Sequence, residues 1–130
     1  MKILVGYDGT LTAKDALTLT KEHAKVFNAE VYVVTSLEGG EKTHMEEIEK
    51  AKSDLEYAEG FFRGDNVPCE THLLIRGLEP GEDIVTFAKE HEVDEIVVGV
   101  RKRSKVGKFL LGSTAQYVIL EAHCAVVTIK

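Results

Sequence analysis

Five short apolar segments, separated by stretches of helical periodicity, constrain the fold of this 130-residue chain more than any other feature. The segments are rich in β-branched residues and nearly continuous in apolar character, as strands buried on both faces of a parallel sheet are. They cover residues 2–7, 30–36, 69–75, 95–100 and 125–129. Strands that alternate with helices through right-handed crossovers predict an α/β fold: an open five-stranded parallel sheet with helices on both faces. No linker composition divides the chain, so we expect one domain over residues 1–130.

Four stretches between or beside these segments carry helical signals. Thr12-Ala13-Lys14-Asp15 resembles a capping box, which predicts a first helix that ends near Asn28. Apolar residues recur at three- and four-residue steps over residues 45–62 and predict a long second helix. Pro80-Gly81-Glu82-Asp83 places proline and acids where the amino end of a third helix tolerates them. A fourth helix is predicted to begin at Ser113.

Positive charge is concentrated in one short stretch of an otherwise acidic chain. The formal net charge is −6. The basic residues of this stretch are Arg101, Lys102, Arg103, Lys105 and Lys108. Repulsion from the remaining acidic surface opposes long-range attraction to nucleic acid or to an anionic membrane. A small anionic ligand is therefore the favoured partner, and nucleic-acid contact through this segment is a weaker alternative.

The sequence carries no targeting or metal-binding signal. No apolar run approaches the roughly 20 residues that cross a bilayer, and the chain opens on a predicted strand instead of a signal peptide. We therefore expect a cytoplasmic protein without membrane contact. Cys69 and Cys124 form no CxxC motif and are expected to be reduced thiols. The histidines show no ligand spacing, so no metal site is predicted.

The basic segment joins a predicted strand to a predicted helix start, an arrangement that suits a phosphate group. Gly99 is expected to let the backbone turn at the end of its strand. Gly112-Ser113-Thr114 opens a helix whose free N–H groups and dipole favour an anion. Because the carboxyl ends of parallel strands share one edge, we expect Tyr7-Asp8-Gly9 and Thr35-Ser36 beside this segment. The sequence thus predicts an anion-binding site at that edge.

Each of these signals also has a plainer explanation. The basic segment is equally typical of a solvated loop. Asp8 is equally suited to capping a turn with Gly9, and Ser113 to capping a helix. Capping by Ser113 is compatible with phosphate binding, and all of these alternatives stay open at this point.

Other nucleotide motifs fit less well. A Walker P-loop requires Ser or Thr after its lysine, but Phe109 follows Gly107-Lys108, and no GxGxxG follows the first strand. A receiver domain requires an aspartate at the end of the third strand, where Ile75-Arg76-Gly77 stands. No set of nucleophile, base and orienting group occurs, so no catalytic residue is predicted.

The chain resembles the universal stress protein family over essentially its whole length. The matching segments are Ile3 to Thr10, Val93 to Gly99, Leu110 to Thr114 and His123 to Val127. The family's nucleotide signature reads Gly-x2-Gly-x9-Gly-Ser/Thr. Gly99, Gly112 and Ser113 stand in register with it, whereas Lys102 occupies the second glycine position.

The resemblance implies an adenine nucleotide as ligand, ATP or a related one, which some members of the family bind together with a divalent metal such as Mg²⁺. It implies that Asp8 lies near the adenosine, that the backbone around Ser36 reads the adenine edge and that Gly99 admits the ribose and phosphates. Ser113 and Thr114 would hold the phosphates. The remaining residues expected to bind the nucleotide are Tyr7, Arg101, Lys102 and Gly112.

Lys102 leaves two alternatives open. If the family's second glycine is needed for a positive φ, a lysine there costs on the order of 1 kcal/mol. If only the N–H at this position must face a phosphate, the ammonium group favours binding.

We expect an ATP-binding universal stress protein that acts as a stress-response regulatory or sensor module and reports nucleotide state to a protein partner. Fast catalysis is not expected, and ATP hydrolysis would be weak at most. The alternative is a nucleotide-free homodimeric interaction module of the same family. Residues 125–130 form a predicted apolar edge strand, which tends to pair with another chain, and the resemblance implies a homodimer through this strand.

Overall fold

The structure is a computed structural model, and it describes residues 1–100 and 111–130. Their strands form one parallel sheet in the order β3-β2-β1-β4-β5. The strands are β1 (Lys2–Gly6), β2 (Glu30–Leu37), β3 (Cys69–Ile75), β4 (Glu95–Gly99) and β5 (Ala125–Ile129). The predicted α/β fold with an open five-stranded parallel sheet is confirmed. Arg101 and Lys102, with the rest of the basic segment, lie outside the described residues.

The helices cover both faces of the sheet. They are α1 (Leu11–Phe27), α2 (Met45–Arg63), α3 (Pro80–Glu90) and α4 (Ser113–Glu121), with a short 3-10 turn at Gly40–Lys42. Ile3 and Val5 of β1 point into a core with α1 and α2. Leu4, between them, points into a second core with α3 and α4. This alternation explains why the strand is apolar at every position.

The strand order reverses between β1 and β4. The chain moves from β1 outward to β2 and β3, then crosses to β4 and β5 on the other side. Ligands of open α/β sheets bind beyond the carboxyl ends of the strands at such a switch point. Among the helices described, none combines the length and the apolar character that crossing a membrane requires.

The cap of the first helix lies two residues before the predicted one. Thr10 is the N-cap, with an extended backbone (φ −70°, ψ 164°), and its Oγ1 accepts a hydrogen bond from the Ala13 N–H at 3.2 Å. The predicted capping box at Thr12 is therefore wrong, because Thr12 already lies inside α1. The predicted end is confirmed: Asn28 is the C-cap, in the left-handed conformation (φ 53°, ψ 48°).

Gly81 brings α4 close to α3. A Cβ added at Gly81 would lie 2.8 Å from the Tyr117 Cβ and 3.3 Å from the Thr114 carbonyl oxygen. Only a glycine hydrogen fits between the two helices at this point. Gly81 thereby sets where the amino end of α4, and with it Ser113 and Thr114, lies.

We predict that Gly81→Ala destabilises the protein. The added methyl group must displace Tyr117 and the α4 backbone, and such overpacking typically costs about 1–3 kcal/mol. The change is measured as the free energy of unfolding in urea. The matched control is Gly60→Ala in α2, where a Cβ would meet nothing within 4 Å. That change should stabilise the helix by up to about 1 kcal/mol. Equal effects at the two glycines would contradict the packing argument.

Candidate functional site

The loop after β1 is organised by Asp8. Its Oδ1 accepts hydrogen bonds from the Thr10 N–H at 3.1 Å and from the Thr10 hydroxyl at 2.7 Å. Because Thr10 is also the N-cap of α1, Asp8 connects the strand end to the helix start. The turn role considered for Asp8 is thus present, and the loop presents its polar groups at the carboxyl edge of the sheet.

The amino-terminal half of α2 holds this loop from the side. Gly9 has a left-handed φ of +81°, and a Cβ there would lie 2.8 Å from Asp54 Oδ2. Lys50 Nζ donates to the Asp8 carbonyl oxygen at 3.1 Å and to Asp54 Oδ2 at 2.7 Å. Neither Lys50 nor Asp54 was among the residues expected at the site. The only sequence signal for their pairing is the i,i+4 spacing.

The side chain of Tyr7 is buried beside the loop that follows β1. Its side chain is 3% exposed and stacks on Tyr57, with 6.4 Å between ring centroids. Burial, and then the nearby charges of Asp54, Tyr57 and Asp8, raise the pKa of Tyr7 to about 12. The phenol is therefore protonated at neutral pH, and Tyr7 contributes shape and a hydroxyl group but no charge.

The carboxyl end of β2 is tied to β1 and to α3. The Thr35 hydroxyl donates to the Tyr7 carbonyl oxygen at 2.7 Å. The Ser36 hydroxyl, on the other face of the sheet, donates to Asp83 Oδ2 at 2.7 Å. Since the Ser36 side chain is occupied by Asp83, a ligand at this strand end would meet the Ser36 backbone. This arrangement agrees with the backbone role that the resemblance implies.

Asp83 and Arg76 were not anticipated as part of this edge. Asp83 is fully buried, although it lies near the amino end of α3. Arg76 Nε donates to Asp83 Oδ1 at 2.7 Å, and Arg76 Nη1 donates to Glu90 Oε1 at 3.0 Å. Burial alone would lower the pKa of Arg76, but the hydrogen bonds to Glu90 and Asp83 raise it above its usual value. A faint signal is that Asp83 falls four residues before buried Phe87, on the face of α3 that packs inward.

Gly99 serves close packing and not a turn. It is the last residue of β4, and its φ lies outside the left-handed region. A Cβ there would lie 2.7 Å from Thr12 Cγ2, so glycine is what allows the first turn of α1 to approach the strand end. The expectation that Gly99 turns the backbone is corrected to this contact.

The amino end of α4 is formed by Gly112-Ser113-Thr114. Gly112 is the N-cap with an extended backbone (φ −66°, ψ 155°), and no side-chain hydrogen bond caps this helix end within the described residues. The start of the helix at Ser113 is confirmed, but the alternative that Ser113 is the cap is wrong. The first N–H groups of α4 carry the positive end of the helix dipole at the carboxyl edge.

The topology brings the described candidates to one edge. Tyr7 and Asp8 follow β1, Ser36 ends β2 and Gly99 ends β4, while α4 starts at this edge before it returns to β5. Arg101 and Lys102 are outside the described ranges. Over residues 1–100 and 111–130, no group of three or more His, Cys, Asp and Glu side chains is arranged to hold a metal ion.

The two cysteines are free and lie far apart in the sheet. Cys69 begins β3 at one edge, and Cys124 directly precedes β5 at the other. Burial, with Glu59 next in effect, raises the pKa of Cys69 to about 11, and burial also raises the pKa of Cys124. Both side chains are therefore neutral thiols at neutral pH, and neither forms a disulfide within the described residues, as expected.

The fold and these loops define an open α/β protein whose candidate ligand site lies at the switch point. The sequence model of the universal stress protein family matches residues 1–130, and the chain belongs to this family. A universal stress protein of Thermus aquaticus is 34% identical, over 98% of this chain and 97% of the relative.

Two solved structures from Archaeoglobus fulgidus are similar along the whole chain. A universal stress protein superposes with a TM-score of 0.93 at 44% identity, covering 100% of this chain and 98% of the other. A universal stress protein in complex with dAMP superposes with a TM-score of 0.86 at 40% identity, with the same coverage. The family expected from the motifs is thus confirmed.

We predict that the cost of a side chain at position 99 depends on Thr12. Gly99→Ala should lower the free energy of unfolding by about 1–3 kcal/mol, because its methyl group meets Thr12 Cγ2. In a Thr12→Ser background, which lacks Cγ2, the same change should cost clearly less. A double-mutant cycle in urea measures the coupling. Identical costs in both backgrounds would show that this contact does not require glycine.

We predict that the Tyr7 phenol of the folded protein ionises near pH 12. This ionisation, followed by ultraviolet absorbance, should be absent in Tyr7→Phe. The unfolded chain loses this proton near pH 10, so between about pH 10 and 12 the folded state binds more protons than the unfolded state. Stability should therefore fall as pH rises through this window, and less steeply in Tyr7→Phe. Tyr117→Phe, which removes an exposed phenol, is the control. A pH dependence that Tyr7→Phe leaves unchanged would assign the effect elsewhere.

Proposed function

We propose that this chain, as one universal stress protein domain over residues 1–130, binds an adenine nucleotide at the carboxyl edge of its sheet. It would serve as a cytoplasmic regulatory or sensor module of a stress response, with at most slow ATP hydrolysis. The observation that carries this proposal is the amino end of α4, where Gly112-Ser113-Thr114 offers N–H groups without a capping side chain among the described residues. The dAMP complex of the Archaeoglobus fulgidus relative supports an adenine nucleotide as the ligand.

The phosphates would lie at the start of α4. Backbone N–H groups and the helix dipole favour an anion there. The exposed Ser113 is at the first helical position, where its hydroxyl adds a donor beside the N–H groups. For ATP, Mg²⁺ would enter with the phosphates, since Mg²⁺ is commonly bound through substrate phosphates and few protein ligands.

The adenosine would extend from there toward β1 and β2. Asp8 and its turn border the switch point, and the backbone at Ser36 ends the neighbouring strand. A strand end offers one N–H and one C=O, which match the acceptor and donor on the Watson–Crick edge of adenine. Arg101 and Lys102 would add positive charge near the phosphates.

The test is an isothermal titration of nucleotide-stripped protein with Mg-ATP, with AMP and GTP as comparison ligands. We expect saturable binding of ATP near one site per chain. No heat at millimolar ATP, in protein shown to be folded, would place the affinity weaker than about −4 kcal/mol and contradict the proposal.

We predict that Gly112→Val weakens ATP binding by at least about tenfold, because the branched side chain stands before the donors that bind phosphate. The extended backbone at Gly112 is one that valine adopts without strain, so the fold should persist. The control is Gly60→Ala near the other end of the domain, which should leave the affinity unchanged. Unaltered affinity in folded Gly112→Val would place the phosphates elsewhere.

A second function, homodimeric interaction, is favoured by the surface around β5. Within the described residues this strand pairs with β4 alone, so its outer edge is open. On neighbouring α4, Leu120 is 70% exposed and Ile119 is 42% exposed. An open edge beside exposed apolar side chains is typical of a surface that pairs with another chain. We propose a C2 homodimer through residues 125–130, with or without nucleotide.

We predict that Thr128→Pro shifts a dimer toward monomer. The Ile129 carbonyl oxygen accepts from the Val100 N–H at 2.8 Å, so Ile129 faces β4 and the backbone of Thr128 faces the open edge. Proline at position 128 thus removes an outward donor and leaves the pairing with β4 intact. Thr128→Ala is the control, and sedimentation velocity reads the mass. A monomeric native protein, or a dimer unaffected by Thr128→Pro, would exclude this interface.

A further inference from the structure

The fully buried carboxylate of Asp83 joins three separate elements at the candidate site. The Ser36 hydroxyl of β2 donates to Oδ2 at 2.7 Å. Arg76, which follows β3, donates through Nε to Oδ1 at 2.7 Å, and its Nη2 lies 2.5 Å from the same oxygen. Burying a carboxylate costs several kcal/mol unless donors satisfy it. These donors do so, but a buried apolar residue would fill the same space without that cost. What an apolar residue cannot do is fix the end of β2.

Hydrogen bonds hold the end of β2 on both faces of the sheet and at the residue that follows the strand. Consecutive residues point to opposite faces of a sheet, so Thr35 anchors this end to Tyr7 on one face while Ser36 anchors it to Asp83 on the other. The N–H of Gly77, next to Arg76, donates to the Glu38 carbonyl oxygen at 3.0 Å. The backbone between Thr35 and Glu38 is therefore bracketed by polar contacts.

Arg76 also connects the end of β2 to the last turn of α3. Its Nη1 donates to Glu90 at 3.0 Å, nearly two turns beyond Asp83. Glu90 is half exposed, whereas Asp83 is completely buried. The contact with Asp83 is therefore shielded from solvent and holds its geometry, while the contact with Glu90 is a surface ion pair of small effect.

Resting on the proposed nucleotide site, we propose that Asp83 and Arg76 are positioning residues that act through the Ser36 hydroxyl to hold the β2 backbone where it reads the adenine base. Adenine presents an amino donor where guanine presents a carbonyl acceptor, so a fixed backbone donor and acceptor distinguish the two bases. The contribution of these residues is selectivity for the base. The phosphate end of the site, at α4, does not depend on them.

The decisive variant is Ser36→Ala, which removes the link to the strand and retains the pair between Asp83 and Arg76. We expect its affinity for Mg-ATP to fall about tenfold, as the loss of one or two well-placed hydrogen bonds does. Its affinities for Mg-GTP and for inorganic tripolyphosphate should change by less than about twofold, because neither depends on that backbone. Ser36→Thr, which restores a hydroxyl group, should recover the selectivity.

A matched pair separates positioning from surface charge. Arg76→Lys loses the two-nitrogen contact with Asp83 and should lose selectivity for ATP over GTP. Glu90→Gln alters the exposed partner of the same arginine and should not. If Asp83→Asn folds, it should also lose selectivity for ATP over GTP. If it does not fold, the two single variants Ser36→Ala and Arg76→Lys are sufficient for the test.

The outcomes distinguish this inference from the function on which it rests. A native protein that binds none of the three ligands refutes the nucleotide site and this inference together. A native protein that binds ATP and GTP equally refutes the inference, because there is then no base reading to position. If Ser36→Ala has lower stability in urea but an unchanged ratio of ATP to GTP affinity, the cluster serves the fold alone, and the proposed function stands without this inference.

Discussion

The parallel pairing of β1 between β2 and β4 is the constraint on which the rest of the structure depends. Ile3, Leu4 and Val5 are wholly buried, and each of them pairs with a residue on both neighbouring strands. The parallel direction sends the end of every strand to one edge, and the reversal of strand order beside β1 leaves a crevice there. The polar loops of the candidate site meet at this edge because the parallel pairing places the end of every strand there.

The helices then determine the shape of that crevice through a few close contacts. Gly99 allows α1 to approach, the pairing of Lys50 with Asp54 places α2 against the turn at Gly9, and Gly81 allows α4 to rest on α3. All three contacts are made where a glycine lacks a side chain, and one of them also uses an ion pair on the surface. The site is thus formed by how closely the surrounding elements pack, and less by long polar side chains that reach into it.

Sequence reasoning located the strands within a residue or two, because strands buried on both faces leave a strong apolar signal. It failed where a tertiary contact chose between equal local signals. Thr10 and Thr12 both suit a helix cap, and the hydrogen bonds of Asp8 together with the packing of Thr12 on Gly99 select Thr10. Asp83 carried the local signature of a helix-end acid, and its burial depends on its pairing with Arg76 from another element.

One feature of α3 links the two ends of the crevice. Gly81 touches the start of α4, and Asp83, two residues later in the same helix, holds the end of β2. A helix is stiff over two residues. α3 therefore fixes the separation between the part of the protein that would meet a phosphate and the part that would meet a base. For a nucleotide bound as proposed, a protein in which this separation is already set loses less conformational entropy on binding.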